Sequence, residues 1–242
     1  MRPGRSETRR ADSAGRPEAE AVAAPGLPYE DRSTRFFERL VRFLARHWLL
    51  WANLLVGLYA LLPWVSPLLR AVGWSRPGLA LFLAYRPLCH QQPELCYRFL
   101  GYQVAYCQRD TAIYTSLFLG GLLFGLLRRR FRPLPAWVFL FAVAPTAVDG
   151  VTHLIELVFP DWSLRTQNRW AIALTGGVFP AWFYAGDGVG TLNWGLRTFS
   201  GLLFGLGLAL TVYPYIEKEV RRTPGSPGRP GTTGGPGGVA FS

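Results

Sequence analysis

Only three cysteines and three histidines occur in 242 residues. A small, odd cysteine count excludes the dense disulfide framework of a small secreted domain. Acidic residues are also scarce: 15 Asp and Glu stand against 26 Lys and Arg, for a formal charge of +11. There is no HExxH helix, no phosphate-cradling glycine loop and no GxSxG elbow, so the signatures of a zincin, a nucleotide-binding loop and an α/β-hydrolase are all missing. A cleavable secretory signal is not expected either. The first apolar run begins only near Trp48, behind a long charged head and without a small-residue cleavage site.

What the chain has is apolar bulk. Half of the residues are hydrophobic, with 9 Trp, 10 Tyr and 16 Phe. They lie in four or five blocks of about 17–25 residues with few charges, the length that crosses the hydrocarbon of a bilayer. One such block could be a buried core helix; four in one modest chain read as an integral membrane protein. The arginines follow the same logic. They gather in the N-terminal head, at 128–132 and in the KEVRR stretch near the C-terminus, flanking apolar blocks. That distribution fits orientation signals and contacts to anionic lipid head groups. No nucleic-acid-binding module accompanies the charge, and no nucleic-acid partner is expected.

In chain order, residues 1–33 are polar and rich in Arg, Ala, Gly and Pro, and a disordered basic head is expected there. Residues 34–47 place Phe36, Phe37, Leu40, Phe43 and Leu44 at helical spacing with arginines opposite, which predicts an amphipathic helix on the membrane surface. The transmembrane domain is expected over 48–217 and a disordered tail over 218–242. Spans are predicted at 48–69, 111–127, 135–159 and 192–216. Pro63 and Pro67 are expected to kink or end the first. Residues 78–84 are too short to cross. Residues 160–191 are apolar but broken by Gly176, Gly177 and Pro180, so a fifth span is possible. The positive-inside rule prefers four, which puts both termini and the 128–132 loop in the cytoplasm of a multi-pass cell-membrane protein. The fold class expected is an all-α polytopic transmembrane helix bundle.

With four spans, residues 85–114 lie on the outer face. This stretch holds Cys89, Cys96 and Cys107, with His90, Arg109 and Asp110. Asp149 and His153 share one face of the third span at i and i+4. Asn193 and Arg197 open the last. An intramembrane carboxylate costs roughly 2.5–3.5 kcal/mol unless paired, so Asp149 needs Arg197, Arg109 or a metal. Cys89, His90, Cys107 and Asp110, completed by His153 or Asp149, offer the thiolate, imidazole and carboxylate mixture that Zn²⁺ accepts. Spacing alone equally allows a disulfide, Cys89–Cys107 or Cys96–Cys107, in an oxidising compartment. Cys96 reads most simply as a small buried hydrophobe. A cysteine nucleophile activated by His90 or Arg109 is a further reading.

Four motifs carry a resemblance. CHQQP from Cys89, GYQVAYCQRDTAIY from Gly101, DGVTH from Asp149 and NWGLRTFSG from Asn193 resemble the bacterial predicted membrane proteins of domain of unknown function 2085. That pattern reads CHxxPxRS, GxQxPVCxRCTGIY, DGxTQ and NxxRxxTG. The resemblance covers residues 89–201 in order and with close spacing. It aligns the family's Cys-His pair with Cys89 and His90, and the first Cys and the Arg of CxRC with Cys107 and Arg109. Its intramembrane Asp becomes Asp149, and its Asn and Arg of the last span become Asn193 and Arg197. The chain departs in three places. Asp110 stands for the second Cys of CxRC, His153 for the Gln of DGxTQ, and the segment around 160–190 looks inserted. A disulfide through the CxRC second position would not survive the first change, whereas a metal site would. The resemblance therefore implies a metal centre, with zinc the expected ion, and it supports four spans. It implies no reaction. A metal-dependent enzyme, a transporter or metal-handling protein, and a structural protein with a stapled outer loop all remain open.

Overall fold

A computed structural model describes residues 32–128 and 130–222. Most of the head expected over 1–33 and of the tail expected over 218–242 lies outside the described residues. The described residues form two compact units, one ending at Arg39 and one beginning at Leu40. Helix α1 spans Arg32–Arg46 and buries none of its residues.

Among the described residues, four helices are long and apolar enough to cross a membrane: α2 (Trp48–Ala71), α4 (Gln108–Leu127), α5 (Ala136–Val158) and α8 (Leu192–Arg222). The four-span prediction and the helix-bundle class hold. Pro63 and Pro67 lie buried inside α2, which runs on to Ala71 rather than ending at either. Gly73, at φ +90°, then turns the chain into the short α3 (Ser75–Ala84), which packs back along α2. The Oγ of Ser66 donates to the carbonyl of Gly78 at 2.8 Å, tying the two together. Residues 160–191 form no span. They make a 3₁₀ turn at Pro160–Trp162 and two short helices, α6 (Arg169–Thr175) and α7 (Ala181–Tyr184).

The expectation of an all-helical chain omitted one small element. Strands β1 (Cys96–Phe99) and β2 (Tyr102–Cys107) pair antiparallel, with Cys96 opposite Cys107 and Phe99 opposite Tyr102. Leu100 and Gly101 both have positive φ, +52° and +81°, as a two-residue hairpin turn matched to strand twist requires.

Helices α4 and α8 form the most extensive interface; α5 packs on α8, and α2 on α4. Leu49, Leu117, Phe124, Ala209 and Tyr213 make the core at one end. Helix α5 buries only Asp149 and leaves Leu140, Phe141, Val151 and Leu154 uncovered, as a helix facing lipid does. The α4–α8 seam depends on small residues. A Cβ on Gly201 would come within 2.7 Å of the Arg109 carbonyl, and one on Gly205 would overlap Ser116 Oγ and lie 2.9 Å from Leu117 N. This close approach gives van der Waals contact that a hydrocarbon solvent does not otherwise drive. Gly205→Leu is expected to force the helices apart, at a cost of at least about 1–3 kcal/mol, read as a fall in thermal midpoint in detergent. Gly195→Ala is the control, since nothing lies within 4 Å of a Cβ there.

Two contact sets define the bundle's ends. At one, Trp48 Nε1 donates to Glu217 at 2.8 Å, and Arg128 and Arg221 pair with the same carboxylate. At the other, the hairpin and the 160–191 segment meet the start of α8, where Trp194 Nε1 donates to Tyr97 Oη at 3.0 Å and Asn193 Nδ2 donates to the Arg165 carbonyl at 2.7 Å. The candidate site residues Cys89, His90, Cys107, Arg109, Asp110, Asp149, His153, Asn193 and Arg197 lie toward this second end.

Candidate functional site

Cys89 follows the turn after α3, its amide donating to the carbonyl of Tyr85 at 3.0 Å. The loop is then pinned onto β2 by Gln91. Its Nε2 donates to the carbonyls of Phe82 (2.7 Å) and Ala105 (3.0 Å), and its own carbonyl accepts from Gln103 Nε2 at 2.7 Å. Gln91 adopts φ +53°, a conformation that such a mesh of hydrogen bonds can hold. Beneath the loop, Tyr85, Tyr106 and Tyr114 pack with ring centroids 4.8 and 5.3 Å apart.

Cys107 ends β2 and caps α4. Its sulfur accepts from the Asp110 amide at 3.4 Å, its thiol donates to Asp110 Oδ2 at 3.2 Å, and its own amide donates to Cys89 Sγ at 3.2 Å. The hairpin thus delivers one thiol, the loop after α3 a second, and the first turn of α4 a carboxylate. The ligand atoms of Cys89, Cys107 and Asp110 lie within 4.8 Å of one another. Tetrahedral zinc, with Zn–S of about 2.3 Å, needs such atoms roughly 3.8 Å apart, so closing on an ion asks for a movement of about 1 Å. All three cysteines are free thiols.

The two nearest thiols hold each other out of balance. Contact with Cys107 lowers the pKa of Cys89, against the opposing effect of burial. The same contact, followed by burial and the Asp110 carboxylate, pushes Cys107 well above the ordinary thiol range. Cys96 differs: burial pushes it up to about 12. At 7% exposure and with its thiol neutral, it behaves as a small hydrophobe. A maleimide reagent at neutral pH is therefore expected to leave Cys96 unlabelled in folded protein and to label it after unfolding, read by peptide mass spectrometry.

A cavity of about 350 Å³ opens beside the three ligand atoms. His90, Arg109, His153 and Arg197 line it with Cys89, Cys107 and Asp110, so one space gathers residues from four separate parts of the chain. The two histidines stand at the cavity wall and outside the three-atom cluster. His90 is exposed, and the buried Nδ1 of His153 has no partner.

Asp149 sits apart from the cysteines. At 4% exposure it pairs with both Arg109 and Arg165. Arg197, named with Arg109 as a partner for it, instead meets Asp187 at 2.6 Å. Burial lowers the pKa of Arg165 and the Asp149 carboxylate raises it again. Asn193 serves the loop, donating to the carbonyls of Arg165 (2.7 Å) and Gly186 (2.9 Å). Asn168 Nδ2 donates to Arg165 and Tyr184 carbonyls at 2.8 and 2.7 Å. Glu156 accepts from the amides of Arg165 and Thr166 at 2.6 and 2.9 Å. Sequence reasoning missed Gln91, Arg165, Asn168 and Asp187. The available signal was an arginine and an asparagine within a segment that had to cover an intramembrane carboxylate.

Four membrane-length helices closed at one end by a polar, cysteine-bearing hairpin define a polytopic membrane protein. Residues 89–211 match the pattern of the predicted membrane proteins of domain of unknown function 2085, and the chain belongs to that family. It is similar to an uncharacterised protein of Methanocaldococcus jannaschii, 31% identical over 86 residues, which is 35% of this chain and 55% of the relative. A second similar protein, also uncharacterised, comes from Methanothermobacter thermautotrophicus: 32% identity over 73 residues, 30% of this chain and 66% of the relative. The chain thus spans between about half and two thirds of the length of these relatives. Both are archaeal, which lends no support to a bacterial restriction. No solved structure matches.

Proposed function

We propose that this protein holds a zinc ion at the outer membrane face, on Cys89, Cys107 and Asp110. The observation that carries the reading is the convergence of these three ligand atoms within 4.8 Å, beside a cavity. Three protein ligands and an adjoining cavity leave a fourth position for water, for His90 or His153, or for a substrate, the arrangement of a reactive rather than a closed zinc site. The orientation follows from charge. The end carrying Arg46, Arg128, Lys218 and Arg221 is cytoplasmic, held to anionic head groups. In an outer, oxidising compartment a bound metal would also keep two adjacent thiols from pairing.

Elemental analysis of protein purified without chelator, together with cobalt(II) substitution, tests this. About one zinc per chain and thiolate-to-cobalt charge-transfer absorption are the expected results. Absence of metal, with thiol titration finding one free cysteine of three, would overturn the reading in favour of a disulfide.

A further inference from the structure

The cavity beside the cysteines has walls of two kinds. Three of its leucines, Leu88, Leu154 and Leu157, are 58%, 58% and 73% exposed. Leu154 and Leu157 stand at i and i+3 on α5, the helix whose uncovered face meets lipid. His90 and Gln92, also exposed, add polar groups to the same rim. The interior differs: Cys89 and Arg197 are buried, and Cys107 and Asp110 are half-buried. One space of about 350 Å³ therefore leads from a partly apolar rim to the candidate ligand atoms.

The end of α5 fixes the depth of that rim. Leu154 lies four residues before Val158, about 6 Å along the axis, and Leu157 lies one before it. Phe159 and Trp162 follow, exposed and stacked at 5.0 Å, as aromatic rings gather at a membrane–water boundary. The mouth thus sits where acyl chains give way to head groups. Charge selects no ion there. Arg109, Arg165 and Arg197 are matched in number by Asp149, Glu156 and Asp187. Zinc on two thiolates and one carboxylate would add a net charge of −1. An uncharged head with a lone pair suits the open metal position, and an apolar chain suits the leucines.

We propose that the zinc site takes an amphiphile from the surrounding leaflet. Its uncharged polar head enters the cavity to reach the metal, and its apolar chain passes out between Leu88, Leu154 and Leu157 into the bilayer. The inference rests on the zinc reading and names the class of molecule that the open position serves. A ligand taken from water would leave the three leucines with no part in binding.

Cobalt(II)-substituted full-length protein in phosphatidylcholine nanodiscs, titrated with 1-methylimidazole or 1-octylimidazole, tests it. Both probes carry the same neutral metal-binding head, and the cobalt absorption reports its arrival. Affinity referred to the free aqueous concentration should be at least about a hundredfold higher for the octyl probe, since each methylene kept out of water is worth roughly fourfold. Leu154→Trp, which crowds the mouth, should cut that advantage at least about tenfold. Leu140→Trp, equally open to lipid but outside the cavity lining, should keep it. Equal affinity for the two probes would overturn the proposal, because the mouth would then open to water. An unchanged advantage in Leu154→Trp, or its loss in Leu140→Trp as well, would also overturn it by placing the chain elsewhere. Cobalt bound with no response to either probe would mean a closed metal site, refuting this inference while the zinc reading stands. No cobalt absorption before any probe is added would refute the zinc reading itself, and this inference with it.

Discussion

Cys107→Ser is expected to drop zinc from about one ion per chain to under about a tenth, with the protein still inserted and helical. Cys107 is the residue that touches both other ligands, at 3.2 Å to Asp110 and, through its amide, 3.2 Å to Cys89. Ligand-supporting groups alone cost 10–100-fold in affinity when removed, and loss of a thiolate should exceed that. Cys96→Ser provides the contrast. Cys96 faces Cys107 across the hairpin but belongs to no ligand cluster among the described residues, and its metal content should match wild type. His90→Ala and His153→Ala are each expected to weaken binding partially, because a cavity-wall imidazole fills only the fourth position. If Cys107→Ser keeps its metal, the three-atom cluster is not the site.

The same centre sets a pH dependence. Contact between the two thiols raises the pKa of Cys107 and lowers that of Cys89, so Cys107 is the thiol that holds its proton the more firmly. Zinc needs both as thiolates and must displace that proton. Affinity should therefore rise as pH increases, by about tenfold per unit while one proton is released, and fall as pH decreases. An affinity flat from pH 6 to 8 would contradict binding through the Cys107 thiolate.

Much of the fold was legible because bilayer thickness imposes a length on a helix, and four apolar runs met it. The 160–191 segment was legible as broken, since glycine and proline interrupt it, but its content was not. Arg165 reaches back to Asp149, 16 residues earlier, from the irregular chain that follows α5, and no periodicity announces such a contact. The hairpin was missed for a related reason. β1 has four residues, and its turn is Leu-Gly rather than the Asn-Gly that marks such turns. The motif residues were nonetheless gathered around one space, because Cys89, Cys107 and Asp110 each stand where an element begins or ends.

Asp149→Asn should be among the most destabilising single changes in the chain. It removes the one negative charge that holds Arg109 and Arg165, and Arg165 is 7% exposed. Breaking a buried pair by deleting one partner costs about 3–5 kcal/mol, because the charge left behind has neither water nor a counterion. Against a total stability of about 5–15 kcal/mol this is a large share. The site of the loss matters as much as its size. Asp149 is the only buried residue of α5. Otherwise that helix meets α8 through contacts such as Thr146 Oγ1 donating to the Ser200 carbonyl at 2.9 Å. Detachment of α5 and the 160–191 segment is therefore expected before the α4–α8 core melts. Protease cleavage after Arg165 or Arg169 in mild detergent should report it. Adding Arg165→Gln to Asp149→Asn should recover much of the stability, since Arg109, at 24% exposure, can turn toward water once its neighbour is neutral. A single variant within 0.5 kcal/mol of wild type would show that the ion pair does not hold α5. A variant that stays folded but loses zinc would instead make Asp149 part of the metal centre, a role its two arginine partners argue against.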